Sequence, residues 1–266
     1  MATTTEYGHA NNVANFRLLI EHCTALGTHY NPSNPRIKLP ALQAKYTEAE
    51  TVMQSHRAKR VAYDNAINAR EIAFQDLKTF STRVVAILTA SGATEQTLKD
   101  AKTVLRKIRG KRAVTKQKSE PNENLEQPIA PGEANATSNE AVTSSEAVTS
   151  SGAERSVSQL SYDLLYTHFA DLVAITSMEP TYNPNEPEFK TTGLNDKLSI
   201  LENAIHEYMT HQANHDSSII QRNNTLYATT TGLTEVARAT KSYIKALYGF
   251  NSPQYKTIVN IYFKKR

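Results

Sequence analysis

The chain has 266 residues, a formal net charge of +4, no tryptophan and a polar, globular composition that leaves room only for narrow hydrophobic cores. A single cysteine, Cys23, excludes an intrachain disulfide. No stretch approaches the roughly eighteen apolar residues of a membrane-spanning helix, and the first dozen residues lack a charged leader with an apolar run, so the sequence reads as a soluble protein without a membrane partner, cytoplasmic or else released by a route other than a cleaved signal.

Residues 12 to 25 read as a first helix, with Val13, Phe16, Leu19 or Ile20, and Cys23 on one stripe, ended by Gly27 and the extended segment Tyr30 to Pro35. Cys23 lies among Leu18, Leu19, Ile20 and Leu26 and reads as a small core hydrophobe. From Ala41 to Ala90 neither proline nor glycine interrupts a run of steps of three and four: Leu42, Tyr46, Ala49, Met53, His56, Arg60, Tyr63, Ile67, Arg70, Phe74, Leu77, Ser81, Val84 and Leu88. That spacing predicts one helix of about 70 Å with a single buried seam. Ser91 and Gly92 end it. Thr94, or Glu95 beyond it, caps a third helix through Leu98, Ala101, Val104, Leu105 and Ile108, whose last turn is basic.

From Gly110 to about Val157 the pattern dissolves into Ser, Thr, Asn, Glu, Pro and Ala, including a near-tandem EAVTSS, and too little apolar surface remains to offset ordering entropy. A flexible, disordered linker is predicted over residues 111–157. The charges here are segregated: Lys99 to Lys118 carries nine Lys and Arg against one Asp, and Ser119 to Val157 carries seven Glu against one Arg, so the two neighbours nearly cancel.

The segment after the linker repeats the first. Phe169, Leu172, Val173 and Ile175 mark a first helix, and Tyr182-Asn183-Pro184 with Pro187 and Lys190 matches Tyr30-Asn31-Pro32 with Pro35 and Lys38. A second seam follows at a constant offset: Leu194, Leu198, Leu201, Ile205, Tyr208, Gln212, His215, Ile219, Arg222, Leu226, Thr229, Leu233 and Val236. This long helix is expected from about Leu194 to Tyr248, with a break or bulge near Gly232, where glycine disfavours helix by about 1 kcal/mol. A last helix is expected over Ser252 to Tyr262, with Pro253 in its first turn.

The predicted fold is therefore all-α: an elongated antiparallel helical bundle built from two copies of a helix, long helix, helix unit (residues 1–110 and 158–266) packed into one body with pseudo-twofold symmetry. A crossing about Ile67 and Ile219 would set Arg70 opposite Asp216 and Arg222 opposite Asp64.

Few residues point to chemistry. Glu207, His211 and His215 share one helix face at steps of four, a ligand spacing for a divalent ion, but the matching positions of the first copy are Ser55, Lys59 and Tyr63, and polar seam residues are the plainer reading. The polar seam positions His56, Arg60, Arg70, Gln212, His215 and Arg222 read as devices that fix register. No phosphate loop, dinucleotide fingerprint or nucleophile elbow occurs, so no catalytic residue and no cofactor is expected. The turns Tyr30, Asn31, Pro32 and Tyr182, Asn183, Pro184 serve as punctuation or as a presented contact surface. Arg106, Lys107, Arg109, Lys111 and Arg112, with Lys264, Lys265 and Arg266 at the equivalent end of the second copy, form basic ends suited to phosphates, though no aromatic residues interleave to stack on bases.

The stretches SVSQLSYDLLYTHFADLV, YNPNEPEF and NSPQYK resemble a group of uncharacterised, internally duplicated helical proteins of Bacteroidota-type bacteria. The first copy departs from that pattern, lacking the SVSQ opening. The resemblance implies duplication and carries no activity. The resulting expectation is a non-enzymatic structural or interaction protein with a protein partner or self-association; the alternative is a module that binds nucleic acid or another polyanion through its basic helix ends.

Overall fold

The computed structural model describes residues 4–110 and 160–264, without the side chains of residues 4–7. The predicted linker lies outside them. All regular structure among the described residues is helical: α1 (Thr4–Ala25), α2 (Leu39–Gln75), α3 (Leu77–Ala90), α4 (Glu95–Ile108), α5 (Tyr162–Met178), α6 (Thr191–Tyr227), α7 (Leu233–Tyr248) and α8 (Pro253–Val259). Short 3-10 turns over Pro35–Ile37 and Pro187–Phe189 lead into the two 37-residue helices α2 and α6. Each of those helices is about 55 Å long at 1.5 Å per residue.

The expected single rod from Ala41 to Ala90 is interrupted at Asp76. There the backbone amide turns to the carbonyl of Phe74, and the ladder resumes only with the amide of Phe80 on the carbonyl of Asp76 at 2.8 Å. The Asp76 side chain meanwhile reaches Lys197 of α6 at 2.7 Å. Aspartate is a weak helix former, and a scan for proline and glycine passes over it. The second long run stops at Tyr227, and residues 228–232 separate α6 from α7, so Thr229 is exposed instead of lying on a buried seam. Gly232 caps α7, and a Cβ there would lie 2.5 Å from the amide nitrogen of Ala228.

Both ends of the chain also differ from expectation. Helix α1 starts at Thr4 because polar residues are buried on it: His9 and Asn12, 3% and 1% exposed, bond to the Tyr227 hydroxyl at 2.6 and 3.2 Å. An apolar stripe cannot reveal them. Helix α8 ends at Val259 and the chain continues as a strap, because Asn12 offers its side-chain amide as a substitute backbone. It donates to the Lys264 carbonyl at 2.9 Å and accepts from the Lys264 amide at 2.8 Å. Asn15 donates to the Tyr262 carbonyl at 2.7 Å, and Lys241 donates to the carbonyls of Val259 and Ile261.

Two compact units result, and they cross the repeat boundaries expected near residues 110 and 158. One joins the chain up to Phe80 with the chain from Pro184; the other runs from Ser81 to Asn183. In the first, Val13, Phe16, Leu19, Ile20 and Cys23 of α1 pack with Leu42 and Ala49 of α2, Leu226 of α6, Leu233, Val236, Ala237 and Ile244 of α7, and Ile258 of α8. In the second, the buried residues are Val84, Val85 and Leu88 of α3, Ala101, Val104, Leu105 and Ile108 of α4, and Leu165, Phe169, Leu172 and Val173 of α5. Thr94 and Ser161 cap α4 and α5, accepting from the amides of Thr97 and Leu164.

Gly193, in the first turn of α6, would place a Cβ 2.4 Å from the Pro187 carbonyl and 2.9 Å from that of Glu188, both rigid backbone. Gly193→Ala is expected to lower stability by about 1–3 kcal/mol in urea unfolding followed by circular dichroism. Cys23 is fully buried, and its burial pushes the thiol up to about 11. An aromatic disulfide reagent at about pH 8 should leave it unmodified in the native protein and label it completely in urea.

Candidate functional site

The long helices α2 and α6 pair antiparallel: Glu48 of α2 accepts from Thr225 near the end of α6, and Asp76 at the end of α2 meets Lys197 near the start of α6. At the two ends of this pairing Leu42, Ala49, Leu194 and Leu201 are fully buried. The middle is held differently. Four rings follow one another across the pair in the order His56, His215, Tyr63, Tyr208. Their centroids are 5.3, 5.3 and 5.7 Å apart and the planes incline by 22, 5 and 37°, so the first two pairs are stacked and Tyr63 meets Tyr208 at a tilt, contacts that add about 0.5–1.5 kcal/mol per pair. An arginine closes each end of the series. The guanidinium of Arg70 lies 3.4 Å from the Tyr208 centroid, and Arg222 Nη1 is 2.8 Å from His56 Nε2.

The contacts of His56 fix its protonation. Arg222 can only donate, so Nε2 must accept and the proton sits on Nδ1. Nδ1 then donates to Ser218 Oγ at 2.8 Å, and the Ser218 hydroxyl donates to the carbonyl of His215 at 2.6 Å. His56, Ser218 and Arg222 are 3%, 2% and 6% exposed. A serine beside a histidine suggests a nucleophile and its base, but the direction of the bonds is wrong for that. The serine proton points to a carbonyl, and neither ring nitrogen of His56 is free to take it. The chain of donors therefore locks these side chains together.

This arrangement replaces the expected crossing about Ile67 and Ile219. Arg70 packs on Tyr208 instead of facing Asp216, and Arg222 bonds His56 instead of facing Asp64. The physical reason lies in the relative strength of the contacts. Asp216 has a side chain 62% exposed, and exposed ion pairs contribute about 0–1 kcal/mol, less than a run of stacked rings closed by a desolvated guanidinium. The Tyr63 hydroxyl, 3.4 Å from that of Tyr208, is held above its ordinary titration range mainly by that hydroxyl, with burial adding to it.

The other sequence candidates fall as follows. Glu207 and His211 meet at 3.3 Å on the surface of α6, but His215 is turned into the stack, and among the described residues no three His, Cys, Asp or Glu gather as metal ligands. Tyr30 and Tyr182 are buried while Asn31 and Asn183 are exposed. Tyr30 donates to the Ile37 carbonyl at 2.5 Å and packs edge-on to Tyr243, and burial raises its hydroxyl above the ordinary range; burial pushes Tyr182 up to about 12. Pro32 is buried and Pro184 half-buried. The tyrosines thus anchor these turns from within, leaving the asparagines outward.

Of the basic residues, Lys107 and Arg109 are exposed and Arg106 is half-exposed on α4, and Arg109 donates to Thr82 at 2.8 Å. Lys264 is tied to α1 through its backbone. Lys111, Arg112, Lys265 and Arg266 lie outside the described residues. In the second unit, burial and the nearby Lys107 hold His168 below the usual imidazole range, against the opposing pull of Asp171.

The pairing of His56 with Ser218 and Arg222 is not legible in the sequence, although two of the three residues carry a signal. His56 and Arg222 occupy seam positions, and Ser218 lies one residue off the seam. Only the register between the helices joins them. Compared with protein-family models, curated proteins and solved structures, the chain matches none. Among the described residues, no helix is long and apolar enough to cross a membrane.

Arg222→Met leaves the buried Nε2 of His56 without its donor and should lower stability by about 1–3 kcal/mol. Arg70→Met removes a half-exposed cation from a ring face and should cost about 1 kcal/mol or less. Parallel urea titrations of the two variants check this ranking.

Proposed function

We propose that the protein is a non-enzymatic, cytoplasmic structural or interaction protein, whose paired long helices present a docking surface to a protein partner or a second copy. The observation that carries this reading is an aligned pair of exposed apolar positions on each long helix, Val61 and Ile72 on α2, 53% and 70% exposed, and Met209 and Ile220 on α6, 52% and 62% exposed, with Ile200, 54% exposed, a further one on α6. Within each pair the spacing is three helical turns, which sets both side chains on one side of the helix. Apolar groups so aligned suit burial against another helix.

An internal duplication with pseudo-twofold symmetry fits the same reading. Helices α2 and α6 have equal length and each follows a proline-led 3-10 turn. Arg70 and Arg222, Tyr63 and His215, and His56 and Tyr208 occupy corresponding positions of the two sequence repeats, so the series of arginine, four rings and arginine has the same order from either end. Such a body resembles a fused dimer, although its exposed apolar pairs sit at different repeat positions: Val61 and Ile72 correspond to Ala213 and Asn224.

A second reading, polyanion binding, rests on α4. Lys99, Lys102 and Arg106 line one open depression of that helix together with Glu95 and Thr103, while the opposite face, Ala101, Val104, Leu105 and Ile108, is buried. Clustered cations without interleaved aromatics suit phosphate groups more than bases.

Replacing Val61, Ile72, Met209 and Ile220 together by glutamate should leave the circular dichroism spectrum unchanged and abolish association. Light scattering over a concentration series reads self-association, and affinity capture from the source cell reads a partner. Association that survives all four substitutions overturns the proposed surface. Association that instead disappears on Lys99→Glu, Lys102→Glu and Arg106→Glu, and weakens steeply with salt, favours the polyanion reading.

A further inference from the structure

We propose that His56 makes the α2–α6 pairing acid-sensitive, a closure that holds while the imidazole is neutral and loosens when it takes a proton. The geometry leaves little alternative for the neutral ring: Nε2 accepts from Arg222 at 2.8 Å and Nδ1 donates to Ser218 at 2.8 Å, with the histidine 3% exposed. A proton has to enter at Nε2. It removes the acceptor that Arg222 uses and sets two cations in hydrogen-bond contact away from water, where like charges repel most strongly.

The surroundings of the ring sharpen this. On α6 it faces Arg222, His215 and Ser218, and His215 stacks on it at 5.3 Å, so a charge on either imidazole opposes a charge on the other. Asp216 stands on the solvent side of His215 at 4.0 Å. On α2 itself the next turn brings Lys59 and Arg60, both half-exposed. Helices α1 and α7 also pack on α2, and some of their charged groups have contacts away from the ring. Arg17 acts on Tyr46, Glu235 pairs with Arg238, and Lys241 holds the carbonyls of Val259 and Ile261.

The sign follows from linkage. The unfolded chain takes up this proton as pH falls through the ordinary imidazole value of about 6.5, while the folded chain resists it, so this share of stability is present above that value and is lost below it. The loss falls on the middle of the helix pair, where partly exposed residues such as Arg60, Ile67, Ile205 and Gln212 accompany the stack. The exposed positions Val61 and Met209 lie in the same stretch. Acidification thus opens the region between the leucine-rich ends.

Two measurements test this on the full chain. Long-range proton–nitrogen spectra of the histidine rings report the tautomer directly; the Nδ1–H form of His56 at neutral pH is expected, and an Nε2–H ring or an imidazolium overturns the proposal. Thermal unfolding of the protein and of His56→Gln, compared at about pH 7.5 and about pH 5, reads the switch. Glutamine can still accept from Arg222 but cannot take a proton, and contributions from His168 and the carboxylates are common to both proteins. The unmodified protein should lose about 4–8 °C more than the variant over that range. Parallel losses overturn the inference, and the spectra decide it should the variant fail to fold.

Discussion

Stacked rings between two arginines set how α2 and α6 meet, and most of the first compact unit follows from that register. With Tyr63 against His215 and Arg222 on His56, Leu42 and Ala49 at one end fall beside Leu226 and the start of α7. At the other end, Asp76 and Phe80 fall beside Lys197 and Phe189, whose ring stacks on Phe80 at 5.3 Å. Sliding one helix by a turn would break the whole series at once. Directional contacts of this kind select a register that leucine seams alone, tolerant of slippage, leave open.

The second organising constraint is the capture of chain ends by buried polar groups. His9 and Asn12 close on Tyr227, and Asn12 binds the Lys264 backbone in both directions. Such contacts satisfy groups that would be costly to bury unpaired. They also make α1 a neighbour of α7 and α8, so the beginning and end of the sequence share one core, while α3, α4 and α5 build the other. Within that first unit the interaction surface, the polar stack and the acid-sensitive histidine all belong to one pair of helices, and this links the proposed docking role to the proposed response to pH.

Much of the helical content was legible because apolar spacing is set by the helix itself. Every residue of the first seam from Leu42 to Leu88 is buried or half-buried, as its steps of three and four require. The break near Gly232 was legible for a similar reason, since glycine is a local signal. Asp76 was not, because an aspartate interrupts a helix only where its side chain has a better use, here Lys197 on a helix far along the chain. The buried ends of α1 were missed because His9 and Asn12 are polar, and a polar residue earns burial only through its partner.

The sequence by itself determined the helical class, the first seam, the start of α4 beside Thr94 and the inward role of Cys23, all consequences of spacing and local backbone chemistry. The tertiary structure decided which seam residues touch: that Arg222 takes His56, that Arg70 takes the face of Tyr208, and that Ser218 completes a donor chain. The physical reason is that periodicity specifies a helix face to within a turn but carries no information about register between two faces. Register is chosen by the sum of aromatic, hydrogen-bond and cation contacts, a sum that exists only once the helices are side by side.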